Sequence, residues 1–241
     1  MVSRQKVGMV VAEFFGAGFL TTVLLGVGKS GVGYSYFLAS GVALAFLGSA
    51  LWLARVSGAH FNPAVTLGMW SVRKISTVLA IAYIAAQLLG GYLSWFLYRY
   101  LTGQPLPATP QNAAWNVLVA EAIAGFVIVM GVAAATYQKY QGLKAAATVA
   151  LAIFVGVMIA SLGSNGIGNP AIALGVRAWS WSYVAGPLVG GVIGANLYLY
   201  LFAPASEVQA VIGGLKRKTA VAAKAQVKKA PAKKAAAKRK K

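Results

Sequence analysis

The tripeptide Asn-Pro-Ala occurs twice in this chain, at Asn62-Pro63-Ala64 and at Asn169-Pro170-Ala171, 107 residues apart. Asparagine is a favoured helix N-cap and proline a favoured first helical residue, so each copy predicts the start of a short helix. Each copy interrupts an otherwise apolar chain, which puts both helix starts at membrane depth. The chemistry on offer there is hydrogen bonding and electrostatics. An asparagine amide donates to a solute oxygen. A helix N-terminus carries roughly half a positive charge, and two such ends aimed at one point repel cations. Catalysis is not indicated, because the chain has three Glu, one His, no Asp and no Cys. Disulfides and thiolate chemistry are thereby excluded. No metal site, cofactor or phosphate-binding loop is indicated, so neither an enzyme nor an energy-driven pump is expected.

Two of the glutamates, Glu13 and Glu121, fall within apolar stretches. An intramembrane acid is a functional candidate by default, but a proton relay needs partners, and the spans carry no other charge. His60, the single histidine, stands two residues before the first Asn. Two readings are open for it: gating by protonation, or packing within the loop.

The elements that must position these residues are transmembrane helices. Of 241 residues, 59% are hydrophobic, and the mean hydropathy is +0.71. Six stretches, Val7–Val27, Tyr34–Ala54, Thr77–Tyr98, Trp115–Tyr137, Ala145–Ser164 and Ser180–Ala203, are each about the length that crosses ~30 Å of hydrocarbon as a helix. The alternating segments of a β-barrel do not occur. The first stretch is too long for a cleaved signal peptide and too similar to its later counterpart. Outside the tail the basic residues are Arg4, Lys6, Lys29, Arg55, Arg73, Lys74, Arg99, Lys139, Lys144 and Arg177. With both termini inside, only Lys29, Arg99 and Arg177 face out, so the positive-inside rule predicts cytoplasmic termini.

The chain repeats. Val11-Ala12-Glu13 matches Val119-Ala120-Glu121, and Val42-Ala43-Leu44-Ala45 matches Val149-Ala150-Leu151-Ala152. Leu88-Leu89-Gly90-Gly91 likewise resembles Leu188-Val189-Gly190-Gly191. Each half holds three spans and one half-helix. Three is odd, so the halves enter the membrane in opposite senses, as an inverted repeat whose half-helix starts meet near the midplane. Gly163, Gly166 and Gly168 leave backbone carbonyls able to face a lumen. Gly186, Gly190 and Gly194 make small-xxx-small steps on span six, expected to pack it on span three at Gly90-Gly91. Trp70, Trp95, Trp115, Trp179 and Trp181 sit near span ends, as in an aromatic belt.

The net charge of +19 is concentrated at the C-terminus, where residues 204–241 hold 12 of the 22 Lys and Arg. Low complexity without an apolar face predicts a disordered tail. Its partner chemistry is anionic lipid heads or, less favoured because no aromatic residue interleaves the charges, nucleic acid.

These residues resemble the major intrinsic protein family, the aquaporins and aquaglyceroporins. The run Ser57-Gly58-Ala59-His60-Phe61-Asn62-Pro63-Ala64-Val65-Thr66 is similar to the family's first pore loop. Glu13, Glu121, the run Ala86-Gln87-Leu88-Leu89-Gly90 and Gly186-Pro187-Leu188 are similar too. The resemblance implies a right-handed six-helix channel, usually a homotetramer with a pore in each subunit. It also implies that Glu13 and Glu121 support the pore loops by accepting backbone hydrogen bonds, with His60 packed beside them. In the family an arginine usually comes directly after the second Asn-Pro-Ala; here Ile172 stands there. Carrying over the other outer-filter positions gives Val42, Val157 and Gly166, with Phe46 replacing Val42 if span two slides by one turn. Arg177, eight residues past Asn169 and so two turns along the half-helix, is poorly placed to substitute.

The expectation is therefore an all-α membrane protein with six transmembrane helices, two pore half-helices and an inverted 3+3 repeat. A channel domain spans residues 1–203, with repeats at about 7–100 and 115–203, and a cytoplasmic tail spans 204–241. The function expected is passive passage of water, extending to small neutral solutes, in the cell membrane. One rival is a glycerol-type facilitator, supported by the small apolar filter and opposed by the lack of the aspartate that such channels usually carry. The other is a membrane-anchored interaction protein whose tail binds a polyanion.

Overall fold

A computed structural model describes residues 3–31, 35–108 and 114–214. Contacts divide the chain into two units, Met1–Phe202 and Ala203–Lys241. In the second unit residues 205–214 are helical, so the disorder expected from residue 204 onward does not hold there. This stretch carries a lower density of charge than the basic run at the C-terminus. That run, from Lys216 onward, lies outside the described residues, as does Tyr34.

The first unit contains α1 (Arg4–Lys29), α2 (Ser35–Ser57), α3 (Pro63–Ser71), α4 (Thr77–Thr102), α5 (Trp115–Tyr137), α6 (Gly142–Ala160), α7 (Pro170–Gly175) and α8 (Trp181–Leu201). Six of these are long and apolar enough to cross a membrane, and α3 and α7 are the two short ones. Caps fix several starts: Ser3 Oγ accepts from Lys6 N–H, and Ser76 Oγ from Leu79 N–H. Helix α6 stops at Ala160 rather than at Ser164, because Leu162, Gly163 and Ser164 already donate in tight turns that lead into the second pore loop. Large apolar side chains such as Leu44, Trp52, Val78 and Ile81 face outward, which suits a hydrocarbon surround.

The halves pack alike. Helix α1 lies on α2 and α4, and α5 lies on α6 and α8, while α2 meets α6 across the halves. The short helices cross over, α3 resting on α8 and α7 on α4. This corrects the expected partner of the glycine stripe. A Cβ on Gly186 would lie 2.7 Å from Leu118 O, one on Gly194 2.6 Å from Phe126 O, and one on Gly190 would collide with Ala122 O. The stripe therefore packs on α5, the fourth span. Likewise Gly90 lies against Phe14 O of α1. The reason is the repeat itself, in which the first and third spans of each half pair with each other.

The second glycine of each pair receives the opposite half-helix. A Cβ on Gly191 would lie 2.7 Å from Ala64 O, and one on Gly91 would collide with Ala171 O. Backbone contact this close needs glycine, and it seats both short helices at one depth.

Candidate pore

Each Asn-Pro-Ala forms the helix start that its residues predict. Asn62 is extended (φ −154°, ψ 123°), and its Oδ1 accepts from Ala64 N–H at 2.8 Å. Asn169 is also extended (φ −148°, ψ 109°), with Oδ1 accepting from Ala171 N–H at 2.9 Å. Pro63 and Pro170 take the first helical turn, where a missing N–H costs nothing.

The two caps are tied to each other's loops. Asn62 Nδ2 donates to Gly168 O at 2.9 Å, and Asn169 Nδ2 donates to Phe61 O at 3.0 Å. Each amide nitrogen carries two hydrogens, so one is held by the opposite loop and one remains. Sequence reasoning missed this reciprocal lock and left the Gly168 carbonyl facing the lumen. The signal present was only that Phe61 and Gly168 each directly precede an Asn.

Behind the loops stand the carboxylates. Glu13 accepts from His60 N–H at 3.0 Å, Phe61 N–H at 2.7 Å and Gln87 Nε2 at 2.6 Å. Glu121 accepts from Ile167 N–H at 2.9 Å, Gly168 N–H at 2.6 Å and the Ser164 hydroxyl at 2.7 Å. Both acids are fully buried, and three donors each offset the cost of burying them. One loop residue thus links each carboxylate to the opposite asparagine: Phe61 donates to Glu13 and accepts from Asn169, and Gly168 donates to Glu121 and accepts from Asn62. Fixed at both its N–H and its C=O, each of these residues is held in place on two sides.

His60 Nδ1 lies 3.1 Å from Thr66 Oγ1, and its ring meets the Tyr83 ring edge-on with centroids 5.5 Å apart. Thr66 Oγ1 in turn accepts from Gln87 Nε2 at 2.9 Å. His60 also lines the lumen.

The lumen between the caps has about 10 Å³ open to the centre of a water-sized sphere, close to the ~10–15 Å³ that one water needs. Asn62, Asn169, Val42, Phe46, Val65 and Ile172 line it, with further aliphatic side chains. Both alternatives for the span-two filter position, Val42 and Phe46, thus reach the same cavity. Val157 and Gly166 do not line it. They meet each other, a Cβ on Gly166 falling 2.6 Å from Val157 O. Arg177 lies beyond the end of α7. Its guanidinium donates to Leu106 O at 2.6 Å and sits 4.9 Å from the centroid of the Trp95 ring.

A wide vestibule of about 570 Å³ adjoins the lumen, and Phe46 and Val149 line both. A separate polar recess of about 360 Å³, lined in part by Ser164, Asn165 and Tyr183, shares no residue with the lumen. Sequence reasoning missed the vestibule, because its wall gathers residues from α2, α5, α6 and two loops.

Comparison with known proteins gives a consistent likeness. The family model described as Major intrinsic protein matches residues 1–198. The chain is 32% identical over 248 residues to Aquaporin AqpM of Methanothermobacter marburgensis, covering 83% of this chain and 99% of that protein. It is 35% identical over 223 residues to Aquaporin TIP2-3 of Zea mays, covering 82% and 88%. Among solved structures, the aquaglyceroporin from Plasmodium falciparum superposes with a TM-score of 0.65 at 23% identity, covering 84% of this chain and 99% of that one. At that identity the likeness concerns the fold.

Proposed function

This chain belongs to the major intrinsic protein family, and from that premise we propose how its pore handles solutes. It is a multi-pass membrane channel with the aquaporin fold, not an enzyme, and it carries water and small neutral solutes. The observation that carries the proposal is the reciprocal lock of the asparagines: one amide hydrogen of Asn62 and one of Asn169 are held by the opposite loop. The two that remain belong to side chains that line a lumen with room for about one water. A solute oxygen passing there accepts from both. Its own hydrogens then point away along the lumen, and both helix N-termini disfavour a cation at that place.

Of the four positions carried over for the outer filter, Val42, Val157, Gly166 and Ile172, this reading keeps Val42 and Ile172 as the ones that line the lumen, without the family's usual arginine. Such a filter is less polar than a water-only filter. Water passes fastest, and glycerol or urea leaks at a slower, measurable rate. The apolar Ile172 favours a glycerol-type facilitator as the second reading, while the one-water lumen sets water first. Stopped-flow light scattering on proteoliposomes, comparing water with glycerol, tests both. Water flux no faster than through empty liposomes would overturn the reading.

The assembly is a homotetramer with the pore inside each subunit. The channel domain occupies residues 1–203 in the cell membrane, with both termini cytoplasmic, and residues 204–241 form a tail that meets anionic lipid heads in preference to nucleic acid. Deleting the tail leaves permeability intact in a channel and removes function from a tether.

A further inference from the structure

The vestibule lies at the end of the bundle that carries the N-terminus, where α2 and α5 end and α6 begins. Arg55, in the last turn of α2, is part of its wall, together with Ala54, Gly58, Thr136 and Tyr140. No acidic residue lines it among the described residues. Glu13 and Glu121 are buried and saturated with donors. Arg55 is exposed and has no ion pair or hydrogen bond among the described residues. Helix C-termini, such as those of α2 and α5 here, each present about half a negative charge. Left alone, they would gather cations in a wide, low-dielectric-walled cup directly before a one-water lumen.

We propose that Arg55 is a specificity residue of the pore, whose charge on the vestibule wall holds cations out where Ile172 supplies no charge at the outer filter. The inference rests on the channel reading above, in which Ile172 leaves the filter uncharged. The physical basis is focusing: a cleft lined by one sign of charge shifts local ion concentration by about 10-fold or more. A neutral solute feels none of this, so the charge discriminates by valence and not by size.

The chain has no cysteine, so Arg55→Cys provides a unique thiol whose charge is set after folding. In full-length proteoliposomes the thiol is capped with a cationic, a neutral or an anionic methanethiosulfonate reagent. Potassium flux is then divided by water flux for each adduct. The expected ratio is lowest for the cationic adduct, intermediate for the neutral one and about tenfold higher for the anionic one. Arg73→Cys, which does not line the vestibule, is treated in the same way and should show no such series. Equal ratios from the cationic and anionic adducts at Arg55, with water flux present, would overturn the inference and leave the channel reading standing. An equally large series at Arg73 would overturn it too, since the effect would then be surface charge in general. Absence of water flux in the unmodified wild type would overturn the channel reading, and this inference with it.

Discussion

The two pore loops share a backbone but not a means of building it. Ala59 and Phe61 of the first loop hold φ of 51° and 49°, and Gly166 and Gly168 at the matching places of the second hold 63° and 59°. Glycine takes this left-handed conformation freely, whereas alanine and phenylalanine each lose roughly 1–2 kcal/mol in it. The difference has a counterpart on the helices behind. The Phe61 ring fills a notch at Gly16 of α1, while Gly168 leaves room for Ala124 of α5, a Cβ there falling 3.0 Å from the Ala124 Cβ. Bulk sits on the loop in one half and on the helix in the other. The peptide orientation, with N–H groups toward a glutamate and carbonyls toward the opposite asparagine, is common to both. Hydrogen bonding sets the loop's path, and side-chain volume is divided to fit.

The deepest test of that equivalence is removal of the carboxylates. Glu13→Leu and Glu121→Leu each strand two loop N–H groups, at ~1–3 kcal/mol for each that is buried: Phe61 in the first case, Ile167 and Gly168 in the second. Both variants should lose water permeability and melt early in thermal scans of detergent-solubilised protein. Loss in only one would mean that the two loops are not held in the same way.

Next in size is the volume exchange. Gly16→Ala drives a Cβ into the Phe61 ring and should destabilise the fold by ~1–3 kcal/mol, as overpacked cores do. Adding Phe61→Gly converts the first half to the arrangement of the second and should recover most of that loss. A double mutant no better than Gly16→Ala alone would break the comparison.

A smaller effect on the fold, but a clear one on selectivity, is expected at the caps. Asn62→Asp and Asn169→Asp keep the oxygen that accepts from the backbone, and place a carboxylate where both helix starts favour an anion. Each should admit cations by a similar amount in a liposome ion-flux assay. No change in ion leak from either, together with unaltered permeability in Asn→Leu variants, would sink the paired half-helix account.

The smallest effect concerns Ile172, whose counterpart in the first half is Val65. Both line the lumen, so the halves here present matched apolar residues. Ile172→Arg would make them unequal. It should suppress the glycerol leak and abolish a small proton leak, read with a pH-sensitive dye under an imposed gradient. Wild-type liposomes that pass water and exclude every larger solute would remove the basis for this prediction.

Local rules account for the features that the chain alone determined. Apolar length sets the spans, Asn-Pro sets the helix starts, and the offset between like segments requires an inverted repeat, because an odd number of spans must reverse the second copy. Glu13 and Glu121 stood out because an acid in an apolar helix needs donors, although their partners were legible only through resemblance. Tertiary structure alone decided which surfaces meet. The Gly186–Gly194 stripe could serve any neighbouring helix, and only the pairing within each half directed it to α5. Val42 and Ile172 came together in the lumen while Val157 and Gly166 met elsewhere, since spacing along a chain does not fix the rotation of one helix against another. The asparagine lock, the glycine seats for the crossed half-helices and the vestibule around Arg55 each depend on contacts between distant segments. Local sequence rules cannot specify those contacts, because they act over a few residues, whereas these pairs lie far apart in the chain.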